Sequence, residues 1–177
     1  NTLVHFLEDV AHQELRTGRN RNLITAKEQK QFYDARIAIL GLSVGSHVAL
    51  TIAMSGGSHH LILADPDTIS GDNLNRIRAG YQQVGINKAV AVARQIYEIN
   101  PYADVEIYEK GLSEENAEKI LNTTTLLVEE MDNLYWKLKI REMARERGIP
   151  VLMGTDNGDG TIIEIERFDL DSSYPIL

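Results

Sequence analysis

The arrangement of apolar residues between positions 36 and 65 restricts the fold more than any other feature of the chain. Residues 36–40 read Arg-Ile-Ala-Ile-Leu, residues 46–54 have the apolar spacing of a helix, and residues 61–65 read Leu-Ile-Leu-Ala-Asp. Short runs that are almost wholly apolar predict strands buried on both faces, as in parallel sheets. The order of strand, helix and strand therefore predicts a βαβ unit.

The same alternation continues along the rest of the chain. We predict further strands at residues 105–108, 125–128, 151–153 and 161–166, and further helices at residues 87–99, 113–121 and 134–147. This order predicts an α/β, Rossmann-like, doubly wound fold, with a mainly parallel sheet and helices on both faces. Ligands of such folds bind at the carboxyl ends of the strands, which here follow Leu40, Asp65 and Val128.

The chain divides into an N-terminal segment and one α/β domain. Residues 1–35 predict a short amphipathic helix at 3–15, a basic linker at 16–21 and a second helix that begins with the capping box of Thr25 and Glu28. Residues 36–177 form the predicted domain, and no capping helix follows its last residues. We therefore expect this domain to be truncated at its C-terminus.

The composition excludes several classes of function. The chain has no cysteine, which excludes disulfides, thiolate zinc sites, iron–sulfur clusters and a cysteine nucleophile within these residues. Its net charge of −8 repels nucleic acid and anionic membranes, so we expect neither as a partner. The sequence contains no long apolar run and no leader pattern, which predicts a cytoplasmic protein.

The turn after the first predicted strand has the spacing of a phosphate-binding loop. Residues 41–46 read Gly-Leu-Ser-Val-Gly-Ser, and Gly41, Ser43 and Gly45 would let the backbone approach a phosphate at the start of a helix. Such a turn also occurs with no ligand. Asp65, which ends the second predicted strand, stands where a ribose diol is held in nucleotide-binding folds. Together these features indicate either NAD or ATP.

The residues after Asp65 separate the two cofactors. Residues 65–76 read Asp-Pro-Asp-Thr-Ile-Ser-Gly-Asp-Asn-Leu-Asn-Arg, residues 85–88 read Gly-Ile-Asn-Lys, and residues 131–133 read Met-Asp-Asn. With Arg21-Asn22 and residues 99–101, these motifs resemble the ThiF-like adenylyltransferase superfamily, which includes the ubiquitin-activating enzymes. The resemblance covers roughly residues 19–165. It implies ATP and Mg²⁺ as cofactors and the transfer of an adenylyl group to a carboxylate.

The resemblance also implies a role for each matching residue. Asp65 would hold the ribose, and Asn73, Arg76 and Lys88 would reach the triphosphate. Asp132 would ligate Mg²⁺, and Arg21 would act on the phosphates of a neighbouring subunit in a homodimer. Asp67 and Asn75 belong to the same nucleotide-binding motif. Each of these residues also has a purely structural interpretation, as a surface ion pair, a turn residue or a helix cap.

The chain departs from the usual family pattern at the phosphate contacts. The common glycine motif is replaced by Gly-Leu-Ser-Val-Gly-Ser, Asp72 precedes Asn73 where serine is common, and Ile77 stands where glutamine is usual. The absence of cysteine also excludes the paired-cysteine zinc site and the thioester or sulfur transfer of many members. The residues at 41–45 and 167–169 resemble a bacterial branch in which the domain is embedded in a longer chain, sometimes beside a nitroreductase-like domain.

Three functions remain open from the sequence. The first is an adenylyltransferase that activates the C-terminus of a small protein or peptide. The second is an NAD-dependent oxidoreductase, which the fold and Asp65 favour but which has no evident hydride-transfer site. The third is a catalytically silent binding or dimerisation module, which the unusual glycine turn favours. We interpret His59 and His60 as a solvated pair, since no other histidine has ligand spacing to them.

Overall fold

The protein forms one six-stranded sheet with helices on both faces. In the computed structural model, which describes residues 7–176 except for the side chain of Asn157, the strand order is β3-β2-β1-β4-β5-β6. The strands are β1 (Arg36–Leu40), β2 (His60–Ala64), β3 (Asp104–Tyr108), β4 (Leu126–Glu129), β5 (Val151–Asn157) and β6 (Gly160–Glu166). The first five are parallel, and β6 pairs antiparallel with β5. The predicted fold class is confirmed.

Six α-helices accompany the sheet within the described residues. They are α1 (Asp9–Thr17), α2 (Ala26–Asp34), α3 (Gly45–Met54), α4 (Lys88–Ile99), α5 (Glu114–Thr123) and α6 (Leu134–Glu146). One apolar core lies between α3, α4 and the sheet, and a second lies between α5, α6 and the opposite face. The central strands are buried on both faces, which explains why their sequences are apolar throughout.

The N-terminal segment differs in detail from its prediction. Its first helix begins at Asp9 rather than at position 3, and residues 3–6 lie outside the described residues. The segment predicted as a basic linker is structured, because Arg16 belongs to α1 and residues Gly18–Asn22 form a 3₁₀ turn. Arg16 donates a hydrogen bond to the carbonyl of Ala53, which holds the end of α1 against α3. The capping box of Thr25 and Glu28 is present at the start of α2.

The last two strands form a hairpin that the sequence predicted only in part. The fifth strand reaches Asn157 rather than ending at Met153, because it pairs with β6 along its whole length. The backbones of Asn157 and Gly160 are paired, so the turn contains two residues, and Gly158 has a φ of +66°. The edge strand β6 exposes Ile162, Ile163 and Ile165, which are 48%, 69% and 59% accessible.

Candidate functional site

Gly41 lies at the topological switch point of the sheet, where the strand order changes direction between β1 and β4. It follows β1, which pairs with β2 on one side and with β4 on the other. Its φ is +86°, and a side-chain carbon at this position would lie 2.6 Å from the carbonyl carbon of Glu130. Glycine is therefore required here, both for the left-handed backbone and for the close approach of the segment after β4. The crevice beyond the ends of β1 and β4, beside Gly41 and Glu130, is the place at which doubly wound folds bind their ligands.

The turn after Gly41 leads directly into the first turn of α3. The hydroxyl of Ser46 donates to the carbonyl of Ser43 at 2.7 Å, and Gly45 is buried against Ile39. A side-chain carbon at Gly45 would lie 3.0 Å from the Ile39 side chain, which explains the extra glycine of this motif. The first N–H groups of a helix have no acceptor within the helix, and they carry a partial positive charge. The turn therefore presents a surface suited to an anion.

Asp65 fastens the glycine turn to the end of β2. Its Oδ2 accepts a hydrogen bond from the Leu42 N–H at 2.6 Å, and its Oδ1 accepts one from the Asp67 N–H at 2.8 Å. Asp65 is buried, and burial raises its pKa, whereas the two N–H donors and Lys88 act in the opposite direction. Asp65 thus has a structural role in addition to the ribose contact predicted for it, which stays a prediction.

Lys88 lies beside this carboxylate at the start of α4. Its Nζ is 2.9 Å from Oδ2 of Asp67 and 3.9 Å from Oδ1 of Asp65. The Lys88 side chain is 9% accessible, whereas that of Asp67 is 67% accessible. The structure therefore brings Asp65, Asp67 and Lys88 together, with an ammonium group held beneath an exposed carboxylate.

Asn73, Asn75 and Arg76 lie on the loop between β2 and α4. Asn73 is buried in the 3₁₀ turn Gly71–Asn75, and its Oδ1 accepts a hydrogen bond from the Ser70 N–H at 3.2 Å. Asn75 and Arg76 are exposed, and the Arg76 guanidinium donates to Oδ1 of Asn75 and to the carbonyl of Asp72, both at 2.9 Å. The carbonyl of Arg76 lies 2.6 Å from Nε2 of His47 on α3. The loop is thereby joined to the helix that follows the glycine turn.

The end of β4 carries two glutamates and the predicted metal ligand. Glu129 is fully buried, and Lys137 lies 2.8 Å from its Oε2, close enough for an ion pair although not aligned for a hydrogen bond. Asp132 is exposed two residues after the Glu130 carbonyl that contacts Gly41. Among the described residues no group of three His, Cys, Asp or Glu side chains could hold a metal. A single exposed carboxylate fits Mg²⁺, which commonly takes one or two carboxylates, water and substrate phosphates.

Glu130 is a site residue that the sequence did not indicate. Its Oε1 accepts a hydrogen bond from the Gly154 N–H on β5 at 2.7 Å, and its Cγ would lie 3.6 Å from a side-chain carbon at Gly45. Burial raises the pKa of Glu130 to about 7, although the Gly154 N–H acts in the opposite direction. A pair of acidic residues at the end of an otherwise apolar strand is the signal that could have identified it.

Arg21 does not join this group within one chain. It lines a groove of about 460 Å³ between α1 and α2, and the neighbouring Asn20 donates to the carbonyl of Ser55 at 2.9 Å. Ser55 follows α3, which starts at the carboxyl edge of the sheet and runs back to the amino edge. Ten residues of helix span about 15 Å, so Arg21 lies far from the glycine turn of its own chain.

The two adjacent histidines, His59 just before β2 and His60 at its first position, have specific partners. Nδ1 of His59 lies 2.8 Å from the hydroxyl of Tyr33, and Nδ1 of His60 lies 3.0 Å from Oδ2 of Asp104. Both histidines are half-buried. Their interpretation as a solvated pair is therefore corrected, because α2 and the start of β3 pack against them.

The fold and this crevice define the class to which the chain belongs. The ThiF family model matches residues 17–166, and the chain therefore belongs to the ThiF family. The predicted resemblance is confirmed.

Individual relatives agree with this assignment. The chain is 41% identical over 162 residues to the "Uncharacterized protein MT1398" of Mycobacterium tuberculosis (strain CDC 1551 / Oshkosh), covering 92% of this chain and 22% of that protein. It is 26% identical over 130 residues to the sulfur carrier protein ThiS adenylyltransferase of Bacillus subtilis (strain 168), covering 71% of this chain and 38% of that protein. This chain thus spans well under half of either relative.

A solved structure gives the same fold with a nucleotide present. The E. coli tRNA N6-threonylcarbamoyladenosine dehydratase, TcdA, in complex with ATP has a TM-score of 0.79 and 25% identity, over 87% of this chain and 65% of TcdA. No helix in the described part of this chain is long and apolar enough to cross a membrane.

Proposed function

We propose that this chain is an ATP-dependent adenylyltransferase domain that activates a carboxylate as an acyl-adenylate. The observation that carries the proposal is the crevice at Gly41, where a helix N-terminus, the Asp65–Lys88 group and the exposed Asp132 follow neighbouring strand ends. The related TcdA has been crystallised with ATP, which supports the same ligand for the same fold.

In the proposed reaction an oxygen of the carboxylate attacks the α-phosphorus of ATP. The bond between that phosphorus and the oxygen bridging to the β-phosphate breaks, and pyrophosphate leaves with the bond electrons. Negative charge grows on the phosphate oxygens, where the α3 N-terminus, Lys88 and Arg76 would offset it. Catalysis by this chain is therefore mainly positioning and electrostatic stabilisation.

The nucleotide contacts that we propose are those that the family resemblance implies. Asp65 would hold the ribose, with Gly41, Ser43 and Gly45 beside the phosphates. Further polar contacts would come from Asp67, Asn73 and Asn75. Arg76 would first release Asp72 and Asn75, since its guanidinium donates to both. Asp132 would hold Mg²⁺, which neutralises phosphate charge and favours pyrophosphate as a leaving group.

The proposal extends to assembly and substrate. Since Arg21 lies at the opposite edge from its own crevice, we propose a cytoplasmic homodimer in which Arg21 serves the site of the partner. The substrate would be the C-terminus of a small protein or peptide, a class supported by the relative named as an adenylyltransferase of a sulfur carrier protein. Because the chain has no cysteine, these residues would stop at the acyl-adenylate.

The proposal is tested by comparing nucleotide affinities by calorimetry. We expect the purified domain to bind Mg·ATP detectably and NADH much more weakly, because Arg76 and Lys88 suit a triphosphate. Tighter binding of NADH would replace the proposal with the oxidoreductase alternative. Binding of neither nucleotide would favour a catalytically silent module.

A further inference from the structure

The side chain of Asn87 connects three segments at the nucleotide edge. Its Nδ2 lies 2.9 Å from the carbonyl of Asp65, 3.1 Å from that of Asp67 and 3.2 Å from that of Glu109. Asp65 and Asp67 follow β2, whereas Glu109 follows β3. One amide group thus fixes the ends of two adjacent strands relative to each other.

The oxygen of the same side chain caps the helix that carries Lys88. Oδ1 of Asn87 accepts hydrogen bonds from the N–H groups of Ala89 at 2.9 Å and Val90 at 3.3 Å. A helix cap needs only an acceptor, which serine, threonine or aspartate also supplies. Asparagine adds an NH₂ donor on the same side chain. The donor contacts are therefore additional to capping.

The Asn87 contacts share a partner with those of Lys88. The Lys88 N–H donates to the carbonyl of Asp67 at 2.9 Å, which is also an acceptor for the Asn87 amide. The Nζ of Lys88 then returns to the Asp67 carboxylate at 2.9 Å. The segment from Asp65 to Asp67 is held from both sides, and movement of this segment would displace the ammonium.

We propose that Asn87 is a positioning residue of the nucleotide site. Its amide holds the segment after β2 against the start of α4, so that Lys88 meets the phosphates of the nucleotide. This inference rests on the proposed function, because it assigns the phosphates of ATP to Lys88. Asn87 would act through Lys88, since both its amide nitrogen and its oxygen are engaged by backbone groups.

The test compares Asn87→Ser with a matched substitution elsewhere. Serine keeps a capping oxygen but is too short to reach the three carbonyls. Asn116→Ser is the control, because Asn116 also accepts a backbone hydrogen bond, from Ser113 at 2.8 Å, and donates one, to Gly111 at 3.0 Å. The dissociation constants of Mg·ATP and of adenosine are measured for each folded variant, with thermal unfolding as the stability readout.

We expect Asn87→Ser to weaken ATP binding about tenfold and adenosine binding much less, because the Asp65 carboxylate is also held by the Leu42 N–H. Asn116→Ser should alter neither affinity by more than about twofold, although both variants lose some stability. In a Lys88→Met background the effect of Asn87→Ser on ATP should fall below about twofold, since neighbours that act as a unit are not additive.

Three outcomes would overturn the inference. They are normal ATP affinity of Asn87→Ser, equal losses for ATP and adenosine, and an undiminished effect in the Lys88→Met background. If Asn87→Ser does not fold, Asn87→Thr carries the same test, because threonine is neutral, keeps a capping oxygen and is too short to reach the three carbonyls. Failure of the unsubstituted domain to bind ATP would instead reject the proposed function and this inference with it.

Discussion

The carboxyl and amino edges of the sheet use similar polar residues in different ways. At the carboxyl edge, Asp65 and Lys88 are buried around a crevice that lies between β1 and β4. At the amino edge, Gln13 and Gln29 both donate to the carbonyl of Gly56, at 2.7 and 2.9 Å. The first arrangement follows the strand ends at the proposed nucleotide site, whereas the second lines the groove between α1 and α2 and fastens the N-terminal helices to the loop between α3 and β2.

Because the polar groups at the two edges have different partners, we expect their substitution to have different effects. Exposed polar groups at the proposed site, such as Arg76 and Asp132, can be lost with the fold intact, because their proposed partners belong to a ligand, whereas Asp65 also holds the Leu42 N–H. Polar groups that join two elements contribute net stability of about 1 kcal/mol each. We therefore expect substitutions of exposed polar groups at the carboxyl edge to impair binding or catalysis, and substitutions of the polar groups that join two elements at the amino edge to impair stability.

The largest expected effect is that of Asp132→Asn on pyrophosphate exchange. Asparagine keeps the size of the side chain and removes the charge that would hold Mg²⁺, so exchange should fall at least about a hundredfold with normal thermal unfolding. Asp104→Asn is the control, since Asp104 is an exposed acid at the amino edge. Near-normal exchange by Asp132→Asn would mean that Asp132 does not bind Mg²⁺ and is only part of the turn before α6.

Gly41→Ala should lower the free energy of unfolding by about 3 kcal/mol. A left-handed backbone costs a non-glycine residue roughly 1–2 kcal/mol, and overpacking against the Glu130 carbonyl adds about as much. Gly18→Ala is the matched control, because Gly18 has a helical φ of −54° and nothing within 4 Å of the added carbon. The free energy of unfolding of both variants is measured with urea. An equally small loss for Gly41→Ala and Gly18→Ala would mean that the crevice tolerates a side chain.

Mixing Arg21→Ala with Asp132→Ala tests whether an amino-edge residue serves the site of another subunit. Each variant alone should be inactive in pyrophosphate exchange. After subunit exchange about a quarter of wild-type activity should return, because half of the random dimers are mixed and each has one intact site. If subunits are shown to exchange and no activity returns, Arg21 does not serve the site of another subunit.

The smallest expected effect is that of Tyr33→Phe at the amino edge. The hydroxyl of Tyr33 donates to Oδ1 of Asp9 at 2.6 Å and contacts His59, so its loss should lower the free energy of unfolding by about 1 kcal/mol. ATP affinity should not change. Tyr97→Phe is the control, since Tyr97 is 42% accessible. A selective loss of ATP binding by Tyr33→Phe would contradict the separation of the two edges.

The fold was predictable because the buried strands have no polar face. Runs such as residues 36–40 and 61–64 are apolar on both sides, and the caps at Thr25 and Asn87 locate helix starts through local hydrogen bonds. The extent of β5 was not predictable in this way. Its added residues, through Asn157, are held by pairing with β6, and local composition carries little information about a partner strand.

The chain positions of some candidate site residues were predictable, because short sequence motifs mark them. The sequence placed Asp65, Lys88 and Asp132 after the correct strands. It did not reveal that Asp65 binds the Leu42 N–H or that Glu130 reaches Gly154, because these contacts join residues that are distant in the chain. The distance of Arg21 from the crevice likewise depends on how α1 and α2 pack.

The contact between Gly41 and Glu130 has a consequence for how the chain folds during synthesis. The two chain segments that contain them are also joined by a hydrogen bond from the Thr125 hydroxyl to the Arg36 carbonyl, 89 positions away. Closing so long a loop costs chain entropy before the contacts form. The unit of β1, α3 and β2 can form while β4 is still untranslated, but the crevice then lacks one wall. ATP would consequently bind the completed fold alone, and by mass action it would protect that fold from unfolding without rescuing the nascent half.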